Sequence, residues 1–484
     1  MEYQSTRDKK CVASPQEAVL RGLAPDGGLY VARPDAGFDW RAVLRLDTLG
    51  MAERILSSLL PGFEDMGALV RRAYPAGRFE TQELTPLVAV GGRYVLELFR
   101  GPTSAFKDVA LSMLPQLMTA ARAQLGVTEE SLILTATSGD TGKAALAGFC
   151  DVPGTKILVF YPENGVSEVQ KQQMVSQPGG NVGVCAVRGN FDDAQTGVKE
   201  IFAAGLRKSG GVRLTSANSI NIGRLAPQVV YYFKAYADLV RCGRISVGEK
   251  VDFVVPTGNF GNILAGYLAL RMGLPVGRLV CASNKNDVLT DFLRTGTYDR
   301  RRPFYKTVSP SMDILVSSNL ERLLWLLTED EAEVADYMRA LKEQGHYTVS
   351  ADLLAKLHAH FDCDACSEAQ TLAAIGEVWR GEGYLMDTHT AVAWHAAAHH
   401  KTDAPVVVLS TASPYKFPAA VLSGIGGDLG GTDYDRMFRL HELTGVPIPP
   451  ALARLQRLPV LHRDVIDRAE MPDYVQRRAL RWDE

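Results

Sequence analysis

Apolar and polar positions along the chain fall into a strand, turn, helix rhythm, clearest between residues 130 and 190. Leu132-Ile133-Leu134-Thr135-Ala136 is an unbroken apolar run of strand length. Apolar positions at helical spacing follow over 143–149. A second strand run covers 156–160, a helix 167–177 and a third strand 182–187. Apolar strands separated by helices predict parallel βαβ units covered on both faces. The rhythm resumes at 251–255, 279–282 and 406–410, whereas residues 320–400 read as mostly helical. Near the start, Ser14 is placed to cap a helix over 15–22 with Pro15 at its first position, and 24–31 is a turn feeding a strand. From about 420 the chain is first Gly-rich, then short, charged and helical. These patterns predict an opening unit over 1–90, a central α/β region over 91–420 with a smaller subdomain at about 130–240, and a C-terminal extension over 421–484.

The central stretch for chemistry is Gly101-Pro102-Thr103-Ser104-Ala105-Phe106-Lys107-Asp108. An apolar strand over 94–99 precedes it, Gly101 and Pro102 break that strand, and a helical pattern follows Lys107. Lysines are almost always exposed, so the ordinary expectation for Lys107 is a surface position. A lysine just past a strand end can instead enter the crevice where open α/β sheets place ligands.

Two Gly-rich turns favour that second reading. Thr137-Ser138-Gly139-Asp140-Thr141-Gly142 lies between a strand and a helix, where free amides meet the positive end of a helix dipole. Ser138 and Thr141 add hydroxyl donors, and a carboxylate of amino-acid size suits the turn. It is no phosphate-binding P-loop, because only two residues separate Gly139 from Gly142 and Ala144 follows Lys143. Pro256-Thr257-Gly258-Asn259-Phe260-Gly261-Asn262 opens another helix and predicts a nest of amides for a phosphate. Its spacing is not that of a dinucleotide fingerprint. Hydroxyls at 410–413 close a late strand and can reach a ring nitrogen in the crevice. A lysine with two anion cradles points to a phosphorylated carbonyl cofactor held as a Schiff base.

Composition narrows the class without changing it. The 484 residues are 46% hydrophobic and 22% charged with a net charge of -3, which gives no sign of a nucleic-acid or membrane partner. The N-terminal residues lack a signal-peptide core, and the seven scattered cysteines suit reduced thiols in the cytoplasm. His358, His360, Cys363 and Cys366 match no standard zinc spacing, and His389, His395, His399 and His400 lack the Glu of H-E-x-x-H, so no metal is expected. His389 is the member of that group placed to line the site.

Together these stretches resemble the threonine synthases, pyridoxal-phosphate enzymes of the tryptophan-synthase-β fold type, along nearly the whole chain. The motifs are Gly22 to Leu29, Gly101 to Asp108, Thr137 to Gly142, Ser216 to Asn221, Gly258 to Asn262, Asn284 to Asp287, Ser311 to Ile314 and Asp387 to Val392. The long opening unit and the C-terminal extension are similar to the longer subclass. The chain departs from the family at Lys143, where many members have a small residue, and at Ser413-Pro414-Tyr415-Lys416-Phe417, where they have H-P-A-K-F.

The resemblance implies fold type II, with two doubly wound α/β domains and an added N-terminal domain. It implies conversion of O-phospho-L-homoserine and water to L-threonine and phosphate, by a monomer or homodimer. Lys107 would bind pyridoxal 5'-phosphate and act as the base. Gly258, Asn259, Phe260, Gly261 and Asn262 would hold the cofactor phosphate, and Thr411 would face the pyridine nitrogen. Ser138, Gly139 and Thr141 would hold the substrate carboxylate. Lys143, Lys171, Asn221 and Arg224 are the candidates for the distal phosphate. The alternative is a serine/threonine dehydratase-like lyase or a β-replacement synthase of the same fold, but those usually lack the opening unit. A non-catalytic binder of phosphorylated metabolites would have no need of Lys107.

Overall fold

The computed structural model describes residues 2–206 and 211–482. Two sheets dominate. The larger has the strand order Phe361–Ala365, Val276–Ser283, Val251–Pro256, Val406–Ser410, Arg93–Glu97, Leu87–Val90, parallel except for the last pair. The smaller is wholly parallel, in the order Asp464–Asp467, Val182–Arg188, Thr155–Pro162, Glu130–Ala136, Val212–Thr215.

Unbroken apolar strands arise because both faces of each sheet are covered. Phe253, Val255, Val407 and Leu409 point into one core, and their neighbours Val254, Val406 and Val408 into a second on the opposite face. In the smaller sheet Ile157 and Val159 join the first core, while Leu158 and Phe160 join a third. The strands predicted at 94–99, 132–136, 156–160, 182–187, 251–255, 279–282 and 406–410 all have counterparts within a few residues.

Several strands arise where the pattern does not predict them, three of them at the edges of the two large sheets. Phe361–Ala365 lies in the stretch expected to be mostly helical. It reads F-D-C-D-A because it is an edge strand, with Asp362 and Asp364 only part-buried. Val212–Thr215 and Asp464–Asp467 are likewise short and lie at the two edges of the smaller sheet. The second brings part of the 421–484 stretch into that sheet. Helix Ile222–Arg241 begins inside the stretch expected for the smaller subdomain, yet packs on helices Lys107–Gln124 and Gly261–Arg271.

A three-stranded N-terminal sheet, Tyr3–Ser5, Val12–Ala13 and Tyr30–Val31, is fastened to this body by buried polar contacts. Arg322 donates to the carbonyls of Tyr30 (2.9 Å) and Ile220 (2.6 Å), and Arg7 pairs with Glu321 at 2.8 Å. Among the described residues no helix is long and apolar enough to cross a membrane.

Candidate active site

Lys107 is the first residue of helix Lys107–Gln124 and only 8% exposed. The turn before it is held from several sides. The Asp108 carboxylate accepts from the Thr103 amide (2.8 Å) and hydroxyl (2.6 Å), and a Cβ on Gly101 would strike it at 2.5 Å. The Phe106 amide donates to the Thr411 carbonyl at 2.9 Å, and the Ser413 amide to the Ser104 carbonyl at 3.1 Å. Ser104 itself sits at φ 59, a left-handed conformation that costs a non-glycine residue of order 1 kcal/mol and persists only where the surroundings enforce it. The segment after strand Val406–Ser410 and the lysine turn are therefore tied together by backbone hydrogen bonds.

Around the Lys107 amine lie Ser311 Oγ at 3.2 Å and Asp140 Oδ2 at 3.8 Å. Asp140 is the hub. Its carboxylate also takes the Lys416 ammonium at 2.6 Å and the Gln170 amide at 2.9 Å. Burial pushes the Asp140 carboxyl up, but Lys416 and then Lys107 outweigh it and hold the group well below the usual carboxylate range. For Lys107 burial dominates: its pKa falls to about 8, with Asp140 opposing the shift and Arg224 and Lys416 adding to it. Burial likewise brings Arg224 down to about 10. A partly buried Lys143, held by Gln177, is pushed down to about 8 by burial, with Lys416 adding to the shift.

Ser311 is fixed from behind. Its amide donates to His389 Nε2 at 3.1 Å, while His389 Nδ1 lies 2.7 Å from Asp387 Oδ2. Because Nε2 must accept, the proton sits on Nδ1 and points at Asp387: a neutral imidazole in one tautomer. The pair is 2% and 0% exposed.

The turn at 256–262 has the shape of an anion cradle. The amides of Phe260, Gly261, Asn262 and Ile263 have no protein acceptor among the described residues, and the buried Asn262 Nδ2 is also unpartnered. Asn262 Oδ1 is held by Tyr231 (2.6 Å) and Tyr232 (3.1 Å), and Phe260 takes φ 61 to turn successive amides the same way. A Cβ on Gly258 would lie 2.8 Å from the Ser311 carbonyl oxygen, so Ser311 touches both the cradle and Lys107. A phosphate at these amides and a carbonyl at the lysine fit the donors present.

The turn at 137–142 works differently from the expectation of an open cradle. The Gly139 and Gly142 amides turn inward to Thr137 Oγ1, each at 2.9 Å. The glycines are there for space: a Cβ would strike Gln170 at 139, and Thr137 at 142. The amides of Asp140 and Thr141 have no protein acceptor among the described residues. With half-buried Ser138 and Thr141 they leave a smaller anion site beside Lys107.

Of the distal-phosphate candidates, Arg224 and Lys143 converge on this cluster, whereas Lys171 is exposed. Asn221 is put to other use. It is 0% exposed, it caps helix Ile222–Arg241 through the Gly223 amide, and its Nδ2 donates to the carbonyls of Val19 and Ser216. All its polar atoms are occupied by structure, so a substrate phosphate would have to break that cap. Sequence reasoning missed Ser311 and Asp140 as partners of the lysine, and Lys416 and Gln170 as partners of Asp140, although Lys416, Asp140 and Ser311 lie inside quoted motifs. The H-x-H-x-x-C-x-x-C group does not converge: His358 ends a helix and contacts the Leu293 carbonyl, while Cys363 lies on an edge strand.

The chain is similar to known proteins along most of its length. A family model described as pyridoxal-phosphate dependent enzyme matches residues 81–412. Models of the threonine synthase N terminus and C-terminal region match 2–88 and 390–470. Threonine synthase of Pseudomonas aeruginosa is 41% identical over 438 residues, covering 88% of this chain and 91% of that protein. Threonine synthase-like 1 of Homo sapiens is 38% identical over 455 residues, 89% of this chain, and the match spans 61% of that longer protein. The crystal structure of PLP-bound threonine synthase from Brucella melitensis superposes with a TM-score of 0.88 at 38% identity, covering 99% of both chains.

Proposed function

The chain belongs to the threonine synthase family of pyridoxal-phosphate-dependent enzymes, and from that premise we propose that it converts O-phospho-L-homoserine and water to L-threonine and phosphate. The observation that carries this reading is the buried Lys107 amine, set beside Asp140, Lys416 and Arg224 with a separate amide cradle across Ser311. The reaction needs two phosphates held at once and one amine able to carry protons. This arrangement supplies two anion sites, a surplus of cations and a lysine whose pKa lies at about 8.

Pyridoxal phosphate, when bound, supplies an electron sink for the carbon bearing the amino group. The amides of Phe260, Gly261, Asn262 and Ile263 would hold its phosphate, Lys107 its reactive carbon and Thr411 its ring nitrogen. Everything else falls to the chain. Lys107 Nζ would take the substrate's Cα proton, because burial brings its pKa to about 8 and so populates the neutral amine near that pH. Ser138, Thr141 and the amides of Asp140 and Thr141 orient the carboxylate. Arg224 and Lys143 take the distal phosphate and stabilise it as it leaves Cγ. Asp140 pairs with Lys416 at 2.6 Å and faces Lys107 at 3.8 Å, which keeps the two amines in place. His389 and Asp387 keep Ser311, and through it Lys107, at a fixed position. The seven free cysteines suit a reducing compartment, and we place the enzyme in the cytoplasm as a monomer or homodimer.

The test is incubation of the cofactor-loaded protein with O-phospho-L-homoserine, with threonine and phosphate measured together. Equal amounts are expected; 2-oxobutanoate in place of threonine would instead assign the dehydratase-like alternative. A second expectation concerns the cradle. Gly258→Ala adds a methyl 2.8 Å from a backbone oxygen, which must push Ser311 or the loop aside. Overpacking of this kind costs about 1–3 kcal/mol, so cofactor affinity should fall by roughly 10- to 100-fold. Equilibrium dialysis of pyridoxal phosphate would show it, and wild-type affinity in Gly258→Ala would remove this loop from the cofactor site.

A further inference from the structure

The second cluster of chemical groups lies at the far end of helix Thr388–His399, away from Lys107. His395 and His399 are one helical turn apart on the same face, with ring centroids 4.3 Å apart and planes at 90°. Opposite them is Asp364 on the edge strand Phe361–Ala365, whose Oδ2 lies 2.9 Å from His399 Nδ1. One ligand atom from each of the three lies within 4.8 Å of the others. We infer that Asp364, His395 and His399 bind a divalent transition-metal ion of the zinc class, leaving its fourth position to water.

The donor set selects the class of ion. Two imidazole nitrogens and one carboxylate oxygen suit zinc, nickel or copper, whereas magnesium and calcium require oxygen shells. The geometry needs little adjustment. Ligand atoms about 2.0–2.1 Å from a tetrahedral ion sit roughly 3.3 Å from one another, so the most distant pair must close by about 1.5 Å at most. His399 is exposed, so its ring can shift without disturbing buried packing. Asp364 is prepared for the role. Its Oδ1 accepts from the Ala365 amide at 2.9 Å and faces Arg294 at 3.5 Å, which leaves Oδ2 turned toward the histidines. The His399 Nδ1 to Oδ2 contact marks the position the ion takes, with the metal replacing the proton they share.

The three ligands come from two elements. A bound ion would tie helix Thr388–His399 to the outermost strand of the larger sheet, a strand with one unpaired edge. That helix carries His389 in its first turn, so the clamp would hold the end remote from the lysine.

The site is tested on the full-length, cofactor-loaded protein by calorimetric titration with zinc chloride, then nickel chloride. Wild type should take up one ion per chain, with excess magnesium having no effect. His395→Ala and His399→Ala should each weaken the affinity by roughly 100-fold or more, since loss of a direct ligand exceeds the 10- to 100-fold typical of outer-shell changes. His358→Ala, whose ring contacts the Leu293 carbonyl, should bind as wild type does. Zinc should also raise the thermal midpoint of wild type and not of the two ligand variants. X-ray absorption of the zinc-loaded wild type should show two imidazole ligands, a reading that needs no variant to fold. Absence of saturable one-to-one binding would overturn the assignment, as would unchanged affinity in both ligand variants or a first shell without two imidazoles.

Discussion

Lys107→Ala is expected to lower turnover of O-phospho-L-homoserine by about 10³-fold or more while the protein stays folded. Proton transfer by a placed side chain contributes roughly 10²–10⁴, and here one amine both anchors the cofactor and moves the proton. Folding should survive, because the carboxylate that Lys107 faces keeps its closer partner, Lys416 at 2.6 Å. Lys107→Arg is the sharper variant. It keeps a cation 3–4 Å from Asp140, yet a guanidinium does not give up its proton in the accessible pH range. If Lys107 acts only as a positive charge, the arginine variant will retain much of the activity. If it acts as a base, both variants will be equally inactive. The turnover number kcat should also rise with pH through about 8, because the neutral amine of Lys107 is the competent base once substrate is bound. Threonine released per minute, by either variant, at a tenth of the wild-type rate would refute the assignment.

How far the sequence exposes this molecule depends on burial. Strands covered on both faces, such as Glu130–Ala136 and Val251–Pro256, show themselves as apolar runs, and the helices between them follow from spacing and caps; Ser14 and Ser167 cap as their positions require. The edge strands Phe361–Ala365 and Asp464–Asp467 do not, since an edge strand keeps polar side chains toward water and its partner is remote in sequence. The lysine and the cradle at 258–262 are local features and therefore legible. The counter-charges are not. Lys416 meets Asp140 and the Thr103 carbonyl across elements remote in sequence, with strand Val406–Ser410 set beside Arg93–Glu97, a pairing no local pattern reveals. Asn221 misleads for the same reason: this motif residue turns out to cap helix Ile222–Arg241 and to join it to the Val19 carbonyl of the opening unit.

Asp140→Ala is expected to cost about 3–5 kcal/mol of stability, the usual cost of removing one partner from a buried charge pair. The carboxylate is 3% exposed; it accepts from Lys416 (2.6 Å), Gln170 (2.9 Å) and Ser311 (3.4 Å) and faces the Lys107 ammonium at 3.8 Å. Without it two buried ammonium groups lose their nearest counter-ion, and only the more distant Asp108 carboxylate remains. Lys107 then loses the one neighbour that most strongly raises its pKa, so its neutral form should extend to lower pH. Asp140→Asn preserves shape and the ability to accept from Lys416, and separates charge from volume. Acid titration checks the sign. Asp140 has its folded pKa held below the unfolded value of about 3.9. It therefore contributes fully above that value, and its contribution is lost as pH falls through the folded pKa. The gap in urea midpoint between wild type and Asp140→Asn should be widest above pH ~4 and narrow below it. Replacing Lys416 by Met in the Asn variant should recover part of the loss, because removing both charges of a buried pair is far less costly than removing one. An Asp140→Asn gap that stayed constant from pH 7 down into the acid range would mean that the carboxylate's charge does not stabilise the fold, and that Lys416 and Lys107 are held by other means.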